Sequence, residues 1–354
     1  MWPCKGLHCG SSLDARFFEM FARHGYLNLL GTELGHIIPP LGLICKAVYA
    51  VVRDYIQRIY SNTNSGVFHA LLTSMNMVVV SFLSEGRFSK VWLLSDNSTR
   101  RYFALKIVDV QPYGEFLQSK SSSLRVDCEA MLLSRLRDEH ILKLYFWARV
   151  PGSLMLVLEY VRDGSLVDYV NQHGAFSDPA GCDIAWQLAK AACFLHSRSI
   201  LHRDFKPDNV LVSFSHLSNC VLKVADFGLS RHCGSDRLCC TVVGTPQYMA
   251  PEVHLLKTLE INEKRVGYSF LADMWSIGVI LYAIHAVVLP FDGDHITKDV
   301  LKGVVPYDED DWVRTPRVRL LVQHLLEYDL TGRYDSERLL DVCSRKEFDP
   351  LVVD

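Results

Sequence analysis

The chain has 354 residues, 49% of them apolar, with 37 lysines and arginines against 40 acids and a formal charge of -3. That is enough to bury one large core, or two lobes with an extension, and with no Lys/Arg-rich run there is no signal for a surface that tracks nucleic acid. The eleven cysteines are odd in number and scattered rather than spaced as a framework, and no secretory signal opens the chain; the expectation is reduced thiols in an intracellular protein, cytoplasmic or nuclear.

The first 76 residues read as a helical extension. Cys4, His8 and Cys9 lie close together, but no second ligand pair follows at zinc spacing. Residues 13–30 carry Leu13, Phe17, Met20 and Phe21 at helical spacing, and residues 43–60 repeat the habit with Ile44, Val48, Val51, Tyr55 and Ile59. Two amphipathic helices are predicted, separated by Pro39 and Pro40, with SNTNSG (61–66) as a linker. The apolar run 37–52 contains the proline pair and Lys46 and falls short of the ~20 residues of a membrane span. These helices are expected to pack on their neighbour, or else to lie on a membrane surface or bind a partner protein, and not to cross a membrane.

From Met77 the pattern turns strand-like. MVVVSFL and KVWLL flank SEGRFS, and RYFALKIVDV follows the polar turn DNSTRR, which predicts three antiparallel strands. A helix over LRVDCEAMLLSRLR comes next, then two more strands ending in LMLVLEYV, and beyond Gly164 the chain is mostly helical. A small sheet lobe followed by a helical lobe is the coarse architecture.

HRDFKPDN (202–209) puts an acid, a base and an amide inside eight residues, and ADFGLS (225–230) and MAPE (249–252) follow in that order. Together they resemble the signature set of the eukaryotic protein kinases over about residues 77–345. The resemblance implies an α+β, two-lobed fold with an N-lobe at 77–158, a hinge at 159–163, a C-lobe at 164–345 and a short tail at 346–354. It also implies ATP and Mg2+ as cofactors and protein substrates with Ser/Thr acceptors.

Phosphoryl transfer spreads negative charge over the γ-phosphoryl oxygens, so such a site must supply cations and hold attacker and leaving group in line. By the resemblance, Asp204 is the catalytic aspartate that accepts or orients the substrate hydroxyl proton, a base near that oxygen. Asn209 and Asp226 are oxygen ligands of the metal. Lys206 neutralises the γ-phosphoryl charge and marks the serine/threonine type. Lys106 holds the α- and β-phosphates, and Glu129 on the following helix pairs with it. Leu133 and Leu136 share the helical face of Glu129, so an inward carboxylate there calls for a cationic partner.

Against G-x-G-x-x-G-x-V the phosphate-covering loop reads Ser84, Gly86, Ser89 and Val91, keeping only the middle glycine; weaker nucleotide affinity or slower turnover is expected. For the adenine, the resemblance implies Leu83, Val91 and Ala104 above the ring, Leu211 below it, the backbone of Glu159 and Val161 at its edge, and Leu158 as gatekeeper. Leu133, Leu144, His202 and Phe227 match the stacked apolar positions of an active kinase. Asp273 matches the aspartate that anchors the catalytic loop, and Arg333 the partner of Glu252.

Arg125, Arg203 and Arg231 match positions that converge on a phosphorylated activation-segment residue, with Thr241 as the acceptor and an upstream kinase as its modifier. Thr245 in GTPQY is expected to touch the catalytic loop. The inserted loop in LVSFSHLSNCVLKVADFG and the long segment before Asp273 look like the calmodulin-dependent kinase group, most like its DNA-damage checkpoint effectors, although no forkhead-associated module is recognisable in 1–76. Asp208 suggests a basic peptide preference, while Ser165 stands where many basophilic kinases carry a second acid. Two functional classes follow: an active serine/threonine kinase, and a catalytically weak pseudokinase acting as a scaffold, which the depleted glycine loop favours.

Overall fold

The computed structural model describes residues 77–86, 88–96, 98–109, 129–150, 153–214, 220–233, 238–258, 267–308 and 312–344. The helices expected in 1–76, the Cys4, His8 and Cys9 group, Arg125 and the 346–354 tail lie outside these residues. The chain divides into two compact units: one takes the residues up to Ser134 with Leu144–Tyr160, the other Arg135–Lys143 and everything from Val161. The fold is α+β.

The first unit is a sheet of five antiparallel strands in the order β1-β2-β3-β5-β4. The strands are β1 (Met77–Glu85), β2 (Ser89–Asp96), β3 (Tyr102–Asp109), β4 (Leu144–Val150) and β5 (Ser153–Glu159). Interior strand β5 buries Leu154, Met155, Leu156, Val157 and Leu158 in one unbroken apolar run, as a strand covered on both faces must. Edge strand β1 is buried only at Met77 and is exposed from Val80 onward. The β2–β3 hairpin is turned by Asp96, whose carboxylate accepts from the Ser98 N–H at 2.8 Å and the Thr99 hydroxyl at 2.6 Å, an Asx turn.

The helix predicted over LRVDCEAMLLSRLR stops early: it is described from Glu129 to Leu133. Beyond that the side chains capture carbonyls, the Ser134 hydroxyl donating to Met131 O at 2.8 Å and Arg137 Nη1 to Leu136 O at 2.7 Å, which competes with continued helix. Leu136 is buried in an irregular stretch instead of on the helix.

The second unit holds α1 (Leu166–His173), α2 (Asp178–His196), β6 (Ile200–Leu201), β7 (Val210–Phe214), β8 (Cys220–Val224), β9 (Arg231–His232), α3 (Pro251–Thr258), α4 (Leu271–Ala286), α5 (Ile296–Leu301), α6 (Pro316–Leu325) and α7 (Ser336–Ser344). Helix α4 is its centre: thirteen of its sixteen residues are buried, so it is apolar on every side, as a helix enclosed by neighbours must be. Helices α2 and α6 pack on it, and α7 packs on α2. Ser165 and Asp168 form a capping box that starts α1. β7 and β8 form a hairpin, and β6 pairs with β9 through Leu201–Arg231 and Ile200–His232. Among the described residues no helix is long and apolar enough to cross a membrane.

Candidate active site

In the sheet unit, the β2–β3 and β3–β5 registers put Lys106 between Val91 and Leu156. Its ammonium lies 2.9 Å from Glu129 Oε1, and both side chains are largely withdrawn from water, at 12% and 7% exposure. An ion pair at that depth is retained only where its geometry offsets desolvation. Ala104 is buried opposite Leu158, and Glu159 ends β5 opposite Phe103. Leu83 is exposed on β1. Gly86 donates its N–H to Ser89 O at 2.8 Å, and a Cβ at Gly86 would meet nothing nearer than Ser89 Oγ at 3.2 Å. That contact is tight, but it is with the end of a side chain that can turn aside.

In the helical unit the site is built on a buried carboxylate. Asp273 of α4 accepts the His202 and Arg203 N–H groups, each at 2.9 Å, and lies 3.0 Å from His196 Nε2. Burial alone would raise the Asp273 carboxyl, but the His196 hydrogen bond and charge, with help from His202, carry it below its usual range. The loop after β6 is thus tied to the core helix by backbone, whatever its side chains do.

His202 is fully buried, stacked edge-on against Phe227 and tilted against Phe205. Desolvation lowers its pKa despite the nearby Asp273, Asp204 and Asp226 charges, so the ring is neutral. Its Nε2 then donates to Ala225 O at 3.1 Å, while Nδ1 accepts the Asp204 N–H at 3.4 Å.

Asp204 is held on both oxygens. Oδ1 accepts from the Thr245 N–H at 3.1 Å and the Thr245 hydroxyl at 2.8 Å; Oδ2 accepts from Asn209 Nδ2 at 3.0 Å and lies 3.2 Å from Lys206 Nζ. Lys206 also donates to Thr245 Oγ1 at 3.1 Å, so acid, base, amide and threonine form one closed set. Asn209 Nδ2 further donates to Asp204 O at 2.9 Å. With its amide nitrogen committed this way, Oδ1 is the atom left to act as a hard oxygen ligand of the kind Mg2+ takes. Asp226 is exposed and adopts the left-handed region at φ 59°, as does Arg203 at φ 68°; such strain outside glycine concentrates at functional sites. Among the described residues no group of three or more His, Cys, Asp and Glu side chains forms a metal cage.

Gly244 sits at φ 118°, and a Cβ there would come within 2.5 Å of Arg203 O, so only glycine lets Thr245 reach Asp204. Arg203 donates Nε to Leu229 O at 2.6 Å, while its Nη1 is buried without a partner. Arg231 is exposed on β9. The Tyr268 hydroxyl donates to Thr241 O at 2.8 Å. Leu211 lies on β7 opposite Lys223, and Val161 begins the longer segment of the second unit. Arg333 pairs with Glu252 through two hydrogen bonds of 2.8 and 3.1 Å. The sequence reading missed His196 and Tyr268: neither stands in a motif, and each acts on a partner 77 or 27 positions away.

A protein kinase domain model matches residues 77–342. The chain is similar to the "Probable serine/threonine-protein kinase fhkD" of Dictyostelium discoideum, 32% identical over 273 residues that cover 74% of this chain and 36% of that protein. It is 31% identical to the serine/threonine-protein kinase DCLK3 of Mus musculus over 264 residues, covering 73% and 31%. To the serine/threonine-protein kinase CG17528 of Drosophila melanogaster it is 32% identical over 266 residues, covering 73% and 33%. The chain spans about a third of the length of these curated relatives.

Proposed function

Since the chain belongs to the protein kinase family, we propose that it transfers the γ-phosphoryl group of Mg-ATP to serine and threonine hydroxyls of protein substrates. The observation that carries this is the closed set on Asp204, where Thr245, Asn209 and Lys206 fix both carboxylate oxygens. In this reading Asp204 orients the acceptor hydroxyl and takes its proton as oxygen bonds to phosphorus, while the bond to the leaving ADP oxygen breaks. Lys206 meets the charge on the transferring group, and Lys106, kept in place by Glu129, meets the α- and β-phosphates. Asn209 and Asp226 would hold Mg2+, which when bound neutralises phosphate charge. Leu83, Gly86, Val91, Ala104, Glu159, Val161 and Leu211 would form the nucleotide's surroundings. The retention of Lys106, Glu129, Asp204, Asn209 and Asp226 together speaks for catalysis over a scaffold role.

Thr241 is the proposed regulatory acceptor for an upstream kinase. The unpartnered Nη1 of Arg203 supports this, since a buried cation with a spare donor is stabilised by an arriving phosphate; Arg231 and Arg125 would complete the cluster. The calmodulin-dependent kinase group remains our placement on the inserted loop, and residues 1–76 are proposed as a partner-binding extension ahead of the domain.

The test is radiolabel transfer from ATP to a generic basic protein. Asp204→Asn should lower the rate by at least about a hundredfold, the usual scale for losing a positioned base, and equal rates would sink the proposal. Thr241→Ala should lower activity of the upstream-activated protein; full activity would remove Thr241 from the scheme without touching the catalytic reading.

A further inference from the structure

Cys233 and Cys239 bring their sulfur atoms to 3.4 Å, and both residues are buried, at 2% and 1% exposure. Their backbones are anchored. The Cys233 N–H donates to Ser199 O at 2.7 Å, and Cys239 exchanges two hydrogen bonds with Tyr268, at 2.9 and 2.8 Å, as a lone antiparallel bridge. Cys233 directly follows β9, and Cys239 stands two positions before Thr241. Residues 234–237 between them lie outside the described residues.

Thiol contact of this kind adds little to a fold, because S–H is a weak donor and free cysteine packs as a small apolar side chain. What the contact offers is reactivity. A disulfide has its sulfurs at roughly 2.05 Å, so the two need only close a short gap between anchored backbones. We propose that Cys233 and Cys239 are an oxidisable pair whose disulfide closes the 233–239 loop and locks the segment leading to Thr241 in the conformation described here.

The oxidant is a hydroperoxide. One thiolate attacks the peroxide, the O–O bond breaks, and the sulfur becomes a sulfenic acid as water or an alcohol departs. The second thiol then attacks that sulfur; the S–S bond forms, the S–O bond breaks, and water leaves with the thiol proton. Two thiols lose two electrons and two protons in all, and the peroxide is reduced.

Burial sets the rate of this step. Desolvation lifts the Cys233 thiol to about 12, with Cys239 adding to the rise and the Arg203 charge opposing it, so thiolate is scarce while the segment is closed. Oxidation therefore proceeds through local openings, and the same burial then shields the disulfide from reductant. Among the described residues, exposed Cys240 is the nearest competing thiol in the chain.

The full chain is treated with hydrogen peroxide, its remaining thiols are alkylated, and unreduced digests are mapped by mass spectrometry. The expected product is a peptide linked through Cys233 and Cys239, reversed by dithiothreitol, retained in Cys240→Ser and lost in Cys233→Ala. Amide exchange over residues 238–245 should slow by about tenfold in the oxidised protein, the scale of constraint from closing a short loop. Oxidation confined to Cys240, or a link that disappears in Cys240→Ser, overturns the pair; a link that leaves exchange unchanged overturns the lock. None of these measurements requires catalysis, so they stand or fall apart from the kinase reading.

Discussion

Val287 closes α4 in the left-handed region at φ 58°, with its N–H on Ala283 O at 3.0 Å and its side chain 51% exposed. The position is a helix C-cap of the kind glycine normally fills, and a β-branched residue there is strained by on the order of 1–3 kcal/mol. Since its side chain is half in water, little packing is lost by removing it. Val287→Gly is expected to stabilise the protein by about 1 kcal/mol, read as a thermal midpoint roughly 2–4 °C higher; a lower midpoint would show that the side chain holds something in place. Strain at Arg203 and Asp226 is of another kind, because there the backbone presents site groups. The resemblance of 202–209 to a kinase signature, in order with the later motifs, marked it as the candidate site, and the structure brings Asp204, Lys206 and Asn209 together there. Residue identity could not reveal φ, and so neither the cost at Val287 nor the steric demand at Gly244 was legible.

Elements expose a second limit, seen where α6 begins. Thr315 stands at its N-cap but makes no capping bond, and its hydroxyl is buried without a partner. The cap comes instead from Asp178, the first residue of α2: Oδ1 accepts the Val318 N–H at 3.0 Å and Oδ2 accepts Arg317 Nε at 2.7 Å. Asp178→Ala would strand a helix-end donor and the Arg317 partner together, a loss of roughly 2–3 kcal/mol on the scale of a cap plus a buried unsatisfied group. The urea midpoint should fall with the slope unchanged, and Asp178→Asn, which keeps an acceptor for Val318, should fall less. Equal midpoints for Asp178→Ala and the parent would refute the tertiary cap. In sequence this aspartate reads as an ordinary first-turn acid favouring its own helix, for its partners lie 139 and 140 positions on. Strands β1 to β3 were legible because alternation and a polar turn are local; the end of the helix at Leu133 was not, because Ser134 and Arg137 decide it by bonds to carbonyls that periodicity ignores.

For the molecule as a whole the sharpest expectation concerns acid. Burial lowers the pKa of His202, His285, His254 and His324 below the usual 6.5. At His202 this holds against the pull of Asp273, Asp204 and Asp226, and at His285 against Asp178. A base whose folded pKa is depressed stays neutral in the fold while the unfolded chain binds protons, so its stabilising contribution is complete above the unfolded pKa and is lost as pH falls below it. His202 and His285, each lowered against the pull of a nearby carboxylate, contribute slopes approaching about 1.4 kcal/mol per pH unit in that window; His254 and His324 add in the same direction. The Asp273 carboxyl is lowered from 3.8 and withdraws its support only when pH falls through that lower range. Stability should therefore begin to fall just below pH 6.5, and against a total of ~5–15 kcal/mol two such slopes matter. Urea midpoints taken from pH 7.5 to 5 should be level at the top and decline steadily below 6.5. A level profile down to pH 5 would mean that these imidazoles can take up protons inside the fold, where desolvation lowers the His285 pKa even though the Leu281 and Ser177 carbonyls and the Asp178 charge draw a proton toward it.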